Sequence, residues 1–325
     1  MLGAALLGLT VSCTSLTATY ATQAPIHRAA SGRRQRSCVS ASGALDGSYD
    51  AAQLAMMEEM CIVVDFDDTF LGEGTKKDVH LIDGVCMVPG GPPHRAFSVF
   101  LFDENWNLLM QKRCRDKILF PEHWANTCCS HPLADNAMFL GSPIHGEADG
   151  AGGAIRAARR KLGQELGIDA DAVPEESFTF LTKVHYKAPL PGPMPRWGEH
   201  EVDYILLCQR PRAEIEATLR LNPNEVVEAR WLTQEECREF VDGAPHPEDA
   251  TRPQWLGETV RHSELISPWF GAIARELLHP WWSALKRGDT VRPDGVIHRL
   301  AGSQEAMEGA RTPFMLARAG AEVTT

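Results

Sequence analysis

The sequence predicts a mixed α/β fold, because strand patterns and a helical pattern alternate through the middle of the chain. Ala96–Phe102 is a continuous apolar run, as in a strand buried on both faces. A turn follows, and Leu108–Arg113 is expected to return as the second strand of a hairpin. Ala154–Leu166 has near-helical apolar spacing and is followed by Gly167, a typical helix stop. Together these segments indicate an α/β domain.

The later elements continue the same mixture. Phe178–Tyr186 and Glu201–Cys208 are predicted strands, and the four prolines of Pro189–Pro195 place a loop between them. Thr233–Val241 and Pro268–Leu278 are predicted helices. The sequence contains no internal repeat.

Composition divides the chain into three parts. Residues 1–45 contain no Asp or Glu, are rich in Ala, Ser and Thr, and carry several arginines, which is typical of an organelle transit peptide. Plastid is the expected destination, with mitochondrion or cytoplasm as alternatives. A secretory signal or a disordered segment without a targeting role are other interpretations. Residues 46–285 are assigned to the folded domain, and residues 286–325 to a C-terminal extension expected to be mobile.

Charge and cysteine content exclude several classes of protein. The formal net charge of −11 argues against a broad nucleic-acid surface. No run of about 18 strongly apolar residues is present, so no membrane span is expected. The nine cysteines include no CxxC pair and fit neither a zinc knuckle nor a disulfide framework, which indicates a reducing compartment. The oligomeric state is open, with a monomer favoured.

Two short segments combine groups suited to acid–base chemistry and metal binding. Cys129 and His131 are two apart, so on an extended segment they share one side. The alternative is a pair of buried cysteines beside a structural histidine. Glu199 and Glu201 also share one face of a predicted strand, where two carboxylates repel unless a cation lies between them. The alternative there is a solvated strand edge.

Upstream histidines and basic residues extend this set. His80 and His94 could complete a site of three histidines and two glutamates, which suits Mg2+, Mn2+ or Zn2+. Each histidine taken singly is more often structural than a ligand. Lys76, Arg113 and Lys117 could hold a diphosphate, the arginine by its planar fork and the lysines as point charges. An ordinary solvated basic face is the alternative.

Residues 159–168 resemble the end of the Nudix box, which reads G-x5-E-x7-R-E-U-x-E-E-x-G-U with U aliphatic. The positions that fit this register are Gly146, Arg160, Leu162, Glu165, Gly167 and Ile168. Three of the four box glutamates are replaced, by Gly152, Lys161 and Gln164. Nudix hydrolases use those glutamates to gather metals that activate water, so this chain is expected to keep the fold but to be a poor hydrolase. A plain amphipathic helix is the alternative.

The segment Cys61–Thr69 resembles the DxDxT nucleophile loop of haloacid-dehalogenase-type phosphatases. That loop belongs to a parallel sheet, and no series of βαβ units follows it in this sequence. A strand that ends in an Asp-rich turn is therefore the better interpretation.

Taken together, these segments resemble the type I isopentenyl-diphosphate isomerases. The matching words cover roughly residues 60–285 in order and are TKKDVH (75–80), HRAFSVFLFD (94–103), NTCCSHPL (126–133), RRKLGQELGI (159–168), VHYKA (184–188), WGEHEVDYILL (197–207), NPNE (222–225) and SPWF (267–270). The resemblance implies a Nudix-like fold, with a mixed sheet sandwiched between helices. It also implies interconversion of isopentenyl and dimethylallyl diphosphate, in isoprenoid biosynthesis.

The resemblance implies a role for each candidate residue. Cys129 and Glu201 would be the proton-transfer pair, with Tyr186 beside the acid and Trp269 near the alkene. The ligands of a tightly bound divalent metal would be His80, His94, His131, Glu199 and Glu201. Glu165 would bind Mg2+ together with the diphosphate. The substrate contacts would be Lys76, Arg113, Lys117 and Ser130.

The chemistry of a moving double bond agrees with this assignment. One proton must be added and another removed, through a tertiary carbocation, so an acid and a base are needed on opposite faces of the substrate. Two other functions remain as alternatives. A Nudix-type diphosphate hydrolase would need the missing box glutamates. A non-catalytic, metal-binding Nudix module would not need Cys129, Glu199 and Glu201.

Overall fold

The computed structural model describes residues 49–135, 138–139, 142–143, 145–191, 196–243 and 265–300. The predicted transit peptide at 1–45 and residues 301–325 of the predicted extension lie outside these ranges. The strands are β1 (Met60–Val64), β2 (Phe70–Thr75), β3 (His94–Phe102), β4 (Leu108–Arg113), β5 (Trp124–Ala125), β6 (Cys128–Ser130), β7 (Met138–Phe139), β8 (Ser142–Pro143), β9 (Phe178–Pro189), β10 (Gly198–Gln209), β11 (Val226–Leu232) and β12 (Ile297–Arg299). The α-helices are α1 (Ala51–Met56), α2 (Lys76–His80), α3 (Gly150–Leu166), α4 (Arg212–Thr218), α5 (Gln234–Asp242), α6 (Pro268–Ile273) and α7 (His279–Lys286).

A mixed sheet forms the body of the domain, in the order β11-β4-β3-β10-β9-β12. The predicted hairpin is confirmed, since β3 and β4 pair antiparallel. β3 and β10 run parallel, with Glu201 beside His94, and β9 places Tyr186 on the other side of Glu201. β6 pairs with β3 and sets Cys129 opposite Ser98. This register brings together side chains that are far apart in the sequence.

Helices cover both faces of the sheet, which confirms the predicted fold class. The apolar run of β3 serves both faces, because successive side chains of a strand point in opposite directions. One core packs the β3 residues Phe97, Val99 and Leu101 against the α3 residues Ala154, Ala158 and Leu162. The other core packs Phe100 and Phe102 against Phe270 and Trp282 of the C-terminal helices. The predicted helix Pro268–Leu278 is α6 followed by a π-helical turn at Ala274–Leu278, which continues into α7.

The predicted helix stop at Gly167 is confirmed. Its φ of 65° is left-handed, and its N–H bonds the carbonyl oxygen of Gly163 at 3.1 Å. A Cβ at this position would lie 2.6 Å from the carbonyl oxygen of Arg220. Both the backbone conformation and the close approach therefore require glycine here.

The Asp-rich segment forms a strand and a tight turn. β1 pairs antiparallel with β2 and β3, which is unlike the parallel sheet of the phosphatases. The carboxylate of Asp68 lies 2.7 Å from both the guanidinium of Arg95 and the ammonium of Lys183, and it accepts the hydroxyl of Tyr204. Asp68 thus holds the turn against the sheet, and the structural interpretation of the segment stands.

The sheet continues past the predicted end of the domain at residue 285. Ile297–Arg299 pairs in parallel with β9, and the N–H of Leu300 donates to the carbonyl oxygen of His185 at 3.0 Å. The part of the predicted mobile extension up to residue 300 therefore belongs to the domain. The chain carries little apolar periodicity here because β12 is a three-residue edge strand.

Two further expectations concern the described residues alone. No helix among them is long and apolar enough to cross a membrane. The seven cysteines among them are free thiols, as expected from a sequence without a disulfide framework.

Candidate active site

One cleft gathers side chains from separate elements of the domain. The volume of the cleft, including its open mouth, is about 380 Å³. Its lining residues are Lys76, Arg113, Lys117, Leu119, Cys129, Ser130, His131, Glu165, Tyr186, Glu199, Glu201 and Trp269. Every predicted site residue lines this cleft except His80 and His94. Those two belong to a cluster that shares His131 and both glutamates with the cleft.

That cluster contains the five predicted ligands of the tight metal, all of them buried. One donor atom from each residue lies within 4.8 Å of the donor atoms of the others. His94 begins β3 and lies beside Glu201 of β10, with His94 Nε2 and Glu201 Oε1 3.4 Å apart. His131 Nε2 lies 2.9 Å from the same oxygen. The structure therefore assembles the predicted set from four separate parts of the chain.

The donor atoms of this cluster fit a metal ion. His80 Nδ1 lies 2.6 Å from the carbonyl oxygen of Lys76, which can only accept, so the proton belongs on Nδ1. The lone pair of His80 Nε2 then faces Glu199 Oε2 at 2.9 Å, without hydrogen-bond geometry. Two acceptors at this distance repel each other unless a cation lies between them. The Lys76 carbonyl also fixes the tautomer and the ring orientation of His80, as a metal ligand would need.

Burial favours the neutral form of two histidines of the cluster, His94 and His131. Desolvation and the nearby His80 ring lower the pKa of His94, and the same two causes hold the pKa of His131 well below its usual range. Neutral imidazoles combined with two carboxylates suit a divalent cation. The prediction that these residues can hold a metal is confirmed, while Mg2+, Mn2+ and Zn2+ all remain compatible with the donor set.

The protonation states of Cys129 and Glu201 differ at neutral pH. Burial raises the pKa of the Cys129 thiol to about 12, although Arg113 opposes this from 3.9 Å away. Burial also opposes ionisation of Glu201, but the His94 ring 3.4 Å away and the hydrogen bond from the phenol of Tyr186 prevail and lower its pKa. The cleft thus contains a protonated thiol and an ionised carboxylate, which is the combination that acid–base chemistry needs.

Trp269 forms an aromatic wall of the cleft. Its ring stacks on Tyr186 with 6.4 Å between centroids and an interplanar angle of 29°, and it meets Phe120 edge-on at 5.3 Å. The guanidinium carbon of Arg113 lies 5.7 Å from the centroid of the same ring. The wall is therefore rigid and already close to one positive charge.

Two of the three basic side chains lie at the ends of secondary-structure elements, and Lys117 lies in the loop after β4. Lys76 begins α2, and Arg113 ends β4. Arg113 donates to the carbonyl oxygens of Leu119 at 2.8 Å and Phe120 at 3.1 Å, which fixes its guanidinium. Lys117 forms a buried ion pair with Glu225. Three cations lining one cleft make it suitable for an anionic ligand.

Glu165 supplies a carboxylate beside these cations. Its oxygens lie 3.2 Å from the ammonium of Lys161 and 3.0 Å from the amide nitrogen of Gln111. Burial opposes its charge, but Lys161 and Lys117 outweigh that effect and lower the pKa of Glu165. Glu165 is therefore an ionised carboxylate that lines the cleft, and carboxylate oxygens are ligands that suit Mg2+.

Comparison with known proteins decides the family. A NUDIX domain model matches residues 92–254. The isopentenyl-diphosphate delta-isomerase of Schizosaccharomyces pombe is 42% identical over 251 residues, which cover 77% of this chain and 95% of that protein. This chain belongs to the isopentenyl-diphosphate delta-isomerase family. Isopentenyl-diphosphate delta-isomerase 1 of Bos taurus is 40% identical and covers 77% of this chain and 96% of its own. The chloroplastic isopentenyl-diphosphate delta-isomerase I of Arabidopsis thaliana is 37% identical and covers 78% of each chain.

Membership of the isopentenyl-diphosphate delta-isomerase family confirms the resemblance drawn from the sequence, the Nudix-like fold and the assignment as an enzyme. The structure also shows what replaces the Nudix box. Lys161 pairs with Glu165, and the amide of Gln164 lies 3.4 Å from Glu225. Along α3, Glu165 alone of the box carboxylate positions still carries a carboxylate in the cleft.

Sequence reasoning gave no role to several residues that support the site. Glu225 lies within the NPNE word and holds Lys117, while Gln111 precedes Arg113 on β4 and holds Glu165. Asn126 lies within the cysteine word and bonds the indole of Trp269. For Glu225 and Asn126, the position inside a matching word was the available signal, and for Gln111 it was the position two residues before Arg113. Their partners depend on contacts between distant parts of the chain.

Proposed function

We propose that this protein interconverts isopentenyl diphosphate and dimethylallyl diphosphate, with Cys129 and Glu201 as the proton-transfer pair. The observation that carries the proposal is that the Cys129 thiol and the Glu201 carboxylate line one cleft. Burial raises the pKa of the thiol, and the contacts of the carboxylate lower its pKa. The same cleft has a basic end for a diphosphate and an aromatic wall for an alkene. Membership of the family supports the substrate and the overall reaction.

The reaction needs a proton at one carbon of the substrate and a base at another. One member of the pair protonates the alkene to give a tertiary carbocation, and the other removes a proton from the neighbouring carbon to form the new double bond. The order in which Cys129 and Glu201 act is open. Tyr186 donates its hydroxyl to Glu201 and so keeps this carboxylate oriented. A divalent ion held by the His/Glu cluster would supply charge that stabilises the Glu201 carboxylate.

Trp269 supports the cationic intermediate. The face of an indole ring carries negative electrostatic potential and attracts a cation, most strongly where water is excluded. Trp269 and Tyr186 are each less than 5% exposed, so the apolar part of the substrate would meet a dry wall. Exclusion of water also prevents capture of the carbocation.

The diphosphate would bind at the basic end. Lys76, Arg113 and Lys117 provide positive charge, and the hydroxyl of Ser130 lines the same cleft. Mg2+ bound by Glu165 would neutralise part of the phosphate charge. Binding energy from this remote group can orient the alkene between the acid and the base.

The test is incubation of the purified protein with isopentenyl diphosphate and Mg2+, followed by NMR of the products. Appearance of dimethylallyl diphosphate is expected, together with incorporation of deuterium from D2O. Release of phosphate without an allylic product would contradict the proposal and favour a Nudix-type hydrolase. If neither dimethylallyl diphosphate nor phosphate is formed, the result would favour a non-catalytic Nudix module.

The metal content is tested separately. We expect one tightly bound divalent ion per chain by mass spectrometry of the purified protein, and a second, weaker Mg2+ requirement in activity assays. Glu165→Gln should raise the Mg2+ concentration needed for half-maximal activity and leave the tight ion in place. Full activity of protein shown to be free of metal would contradict the assignment of the cluster.

We also propose that residues 1–45 direct the chain to a plastid. The support is their composition, and the name of the Arabidopsis relative includes the word chloroplastic. A fusion of residues 1–60 to a fluorescent protein is expected to enter plastids. Mitochondrial or cytoplasmic fluorescence would contradict this destination.

A further inference from the structure

Asn126 lies just before the strand that carries Cys129, and its side chain is 0% exposed. Its amide nitrogen donates to the carbonyl oxygens of Cys128 at 2.8 Å and Val99 at 3.2 Å. Its amide oxygen accepts the indole N–H of Trp269 at 3.2 Å. Both amide protons and the oxygen therefore have partners.

The chemistry of these partners permits only one orientation of the amide. An indole nitrogen can only donate, and the two backbone carbonyls can only accept. A flipped amide would leave the indole N–H without an acceptor. It would also place the Asn126 amide oxygen against the carbonyl oxygens of Cys128 and Val99. Since unpaired polar groups in a buried position are costly, the orientation of Asn126 is well determined.

These bonds connect the segment that carries Cys129 to the helix that carries Trp269. Asn126 and Trp269 are separated by 143 positions in the sequence. On one side, the bond to the Cys128 carbonyl fixes the backbone beside Cys129. On the other, the bond to the indole fixes the rotation of the ring in its own plane, which stacking on Tyr186 leaves less restricted.

We propose that Asn126 is a positioning residue for the isomerisation, because it sets the Trp269 indole in a fixed geometry relative to the Cys129 thiol. This inference rests on the proposed function. Asn126 does not line the cleft and acts through the ring and the backbone that it holds. The ring that stabilises the cation and the thiol that transfers a proton are thereby kept in one arrangement.

Steady-state kinetics of Asn126→Ala provide the first test, with Thr127→Val as the matched control. Thr127 is the next residue and is also 0% exposed, but its hydroxyl bonds only the backbone of Leu109 and Leu101, at 2.5 and 2.9 Å. We expect kcat of Asn126→Ala to fall by about tenfold to a hundredfold, as misplacement of catalytic groups does. KM should change by no more than about twofold, because the diphosphate contacts are elsewhere. The control should keep its kcat within about threefold even if it is less stable.

NMR of the indole N–H groups provides a second test that does not depend on activity. The Trp269 signal is identified by its loss in Trp269→Phe. In Asn126→Ala it should move and exchange faster with solvent, while Thr127→Val should leave it in place. An unchanged signal would show that Asn126 does not hold the ring, and would overturn the proposal.

A double variant separates positioning from general damage. The loss of kcat in Asn126→Ala combined with Trp269→Phe should be smaller than the product of the two single losses, because Trp269→Phe already lacks the hydrogen bond between Asn126 and the indole. Fully additive losses would overturn the proposal. If Asn126→Ala does not fold, Asn126→Ser is measured in the same way. A wild-type kcat in the folded Asn126→Ser variant would also overturn the proposal. Wild-type protein that forms no dimethylallyl diphosphate would instead refute the proposed function, while the NMR test of Asn126 would still hold.

Discussion

Glu225→Gln should remove much of the stability that the buried ion pair with Lys117 contributes. The side chain of Glu225 is 1% exposed and that of Lys117 is 7% exposed, so neither charge is well screened by water. Replacing the carboxylate by an amide keeps the shape but leaves the ammonium without its partner. Breaking a buried pair in this way is strongly destabilising.

The magnitude follows from the pKa of Glu225. Burial raises this pKa, but Lys117 and Lys161 outweigh burial and lower it from 4.5 to about 2. A pKa lowered by this amount corresponds to roughly 3 kcal/mol in favour of the folded state at neutral pH. Glu225→Gln should therefore lower the free energy of unfolding by about 3 kcal/mol at pH 7.

The pH dependence has a definite sign. The folded-state pKa of Glu225 is depressed, so its contribution is fully present above about pH 4.5 and is lost as the pH falls toward 2. Between pH 5 and pH 3.5 the difference between wild type and Glu225→Gln should shrink by about 1 kcal/mol. The difference in the free energy of unfolding should not change between pH 6 and pH 8.

Urea unfolding followed by circular dichroism at pH 7, 5 and 3.5 measures this difference. Glu216→Gln is the matched control, because Glu216 pairs with Arg212 at 2.7 Å but is 45% exposed. Exposed pairs contribute about 0.3–0.5 kcal/mol, so this variant should differ little from wild type. If Glu225→Gln and Glu216→Gln unfold at the same urea concentration at pH 7, the reasoning from burial is refuted.

Three further predictions concern the cleft and the fold. Cys129→Ala and Glu201→Gln should each abolish turnover with an unchanged circular dichroism spectrum, and near-normal activity in either would remove it from the proton-transfer pair. Tyr186→Phe should reduce kcat by about tenfold or more, because a hydrogen bond to a charged group contributes about 1.5–3 kcal/mol. Its control, Tyr204→Phe, loses a hydroxyl that donates to Asp68 outside the cleft, and equal losses in the two variants would contradict a role at Glu201. Gly167→Ala should lower the free energy of unfolding by more than about 1 kcal/mol, given the left-handed φ of 65° and the close carbonyl oxygen; wild-type urea unfolding would contradict this.

The sequence was most informative where local chemistry decides the structure. The apolar run of β3 predicts a strand with both faces covered, and the structure buries every residue of it. Gly167 predicts a helix end because few other residues adopt a left-handed φ at no cost. Glu199 and Glu201 alone likewise indicate a cation, because two carboxylates on one face of a strand repel each other without one. In each case the physical cause lies within a few positions of the chain.

The sequence was least informative where pairing between distant segments decides the structure. Nothing in the pattern of β10 predicts that it runs parallel to β3, yet that register sets Glu201 beside His94. The edge strand β12 was missed because three residues carry too little periodicity to detect. Glu225 likewise gave no indication that it would hold Lys117, since the two residues are 108 positions apart.

The charge on α3 accounts for the difference between this cleft and that of a Nudix hydrolase. A hydrolase gathers metals on several box glutamates, but here one of those positions is Lys161, whose ammonium lies 3.2 Å from Glu165. With Lys161 in place of a carboxylate, Glu165 alone cannot gather several metals on α3, and in the proposed function it binds a single Mg2+ together with the diphosphate. The stronger donor set lies instead on α2, β3, β10 and the segment after β6, where three histidines and two carboxylates converge. That set includes Glu201, so in the proposed function the charge of a bound cation would hold one of the two proton-transfer groups instead of activating water.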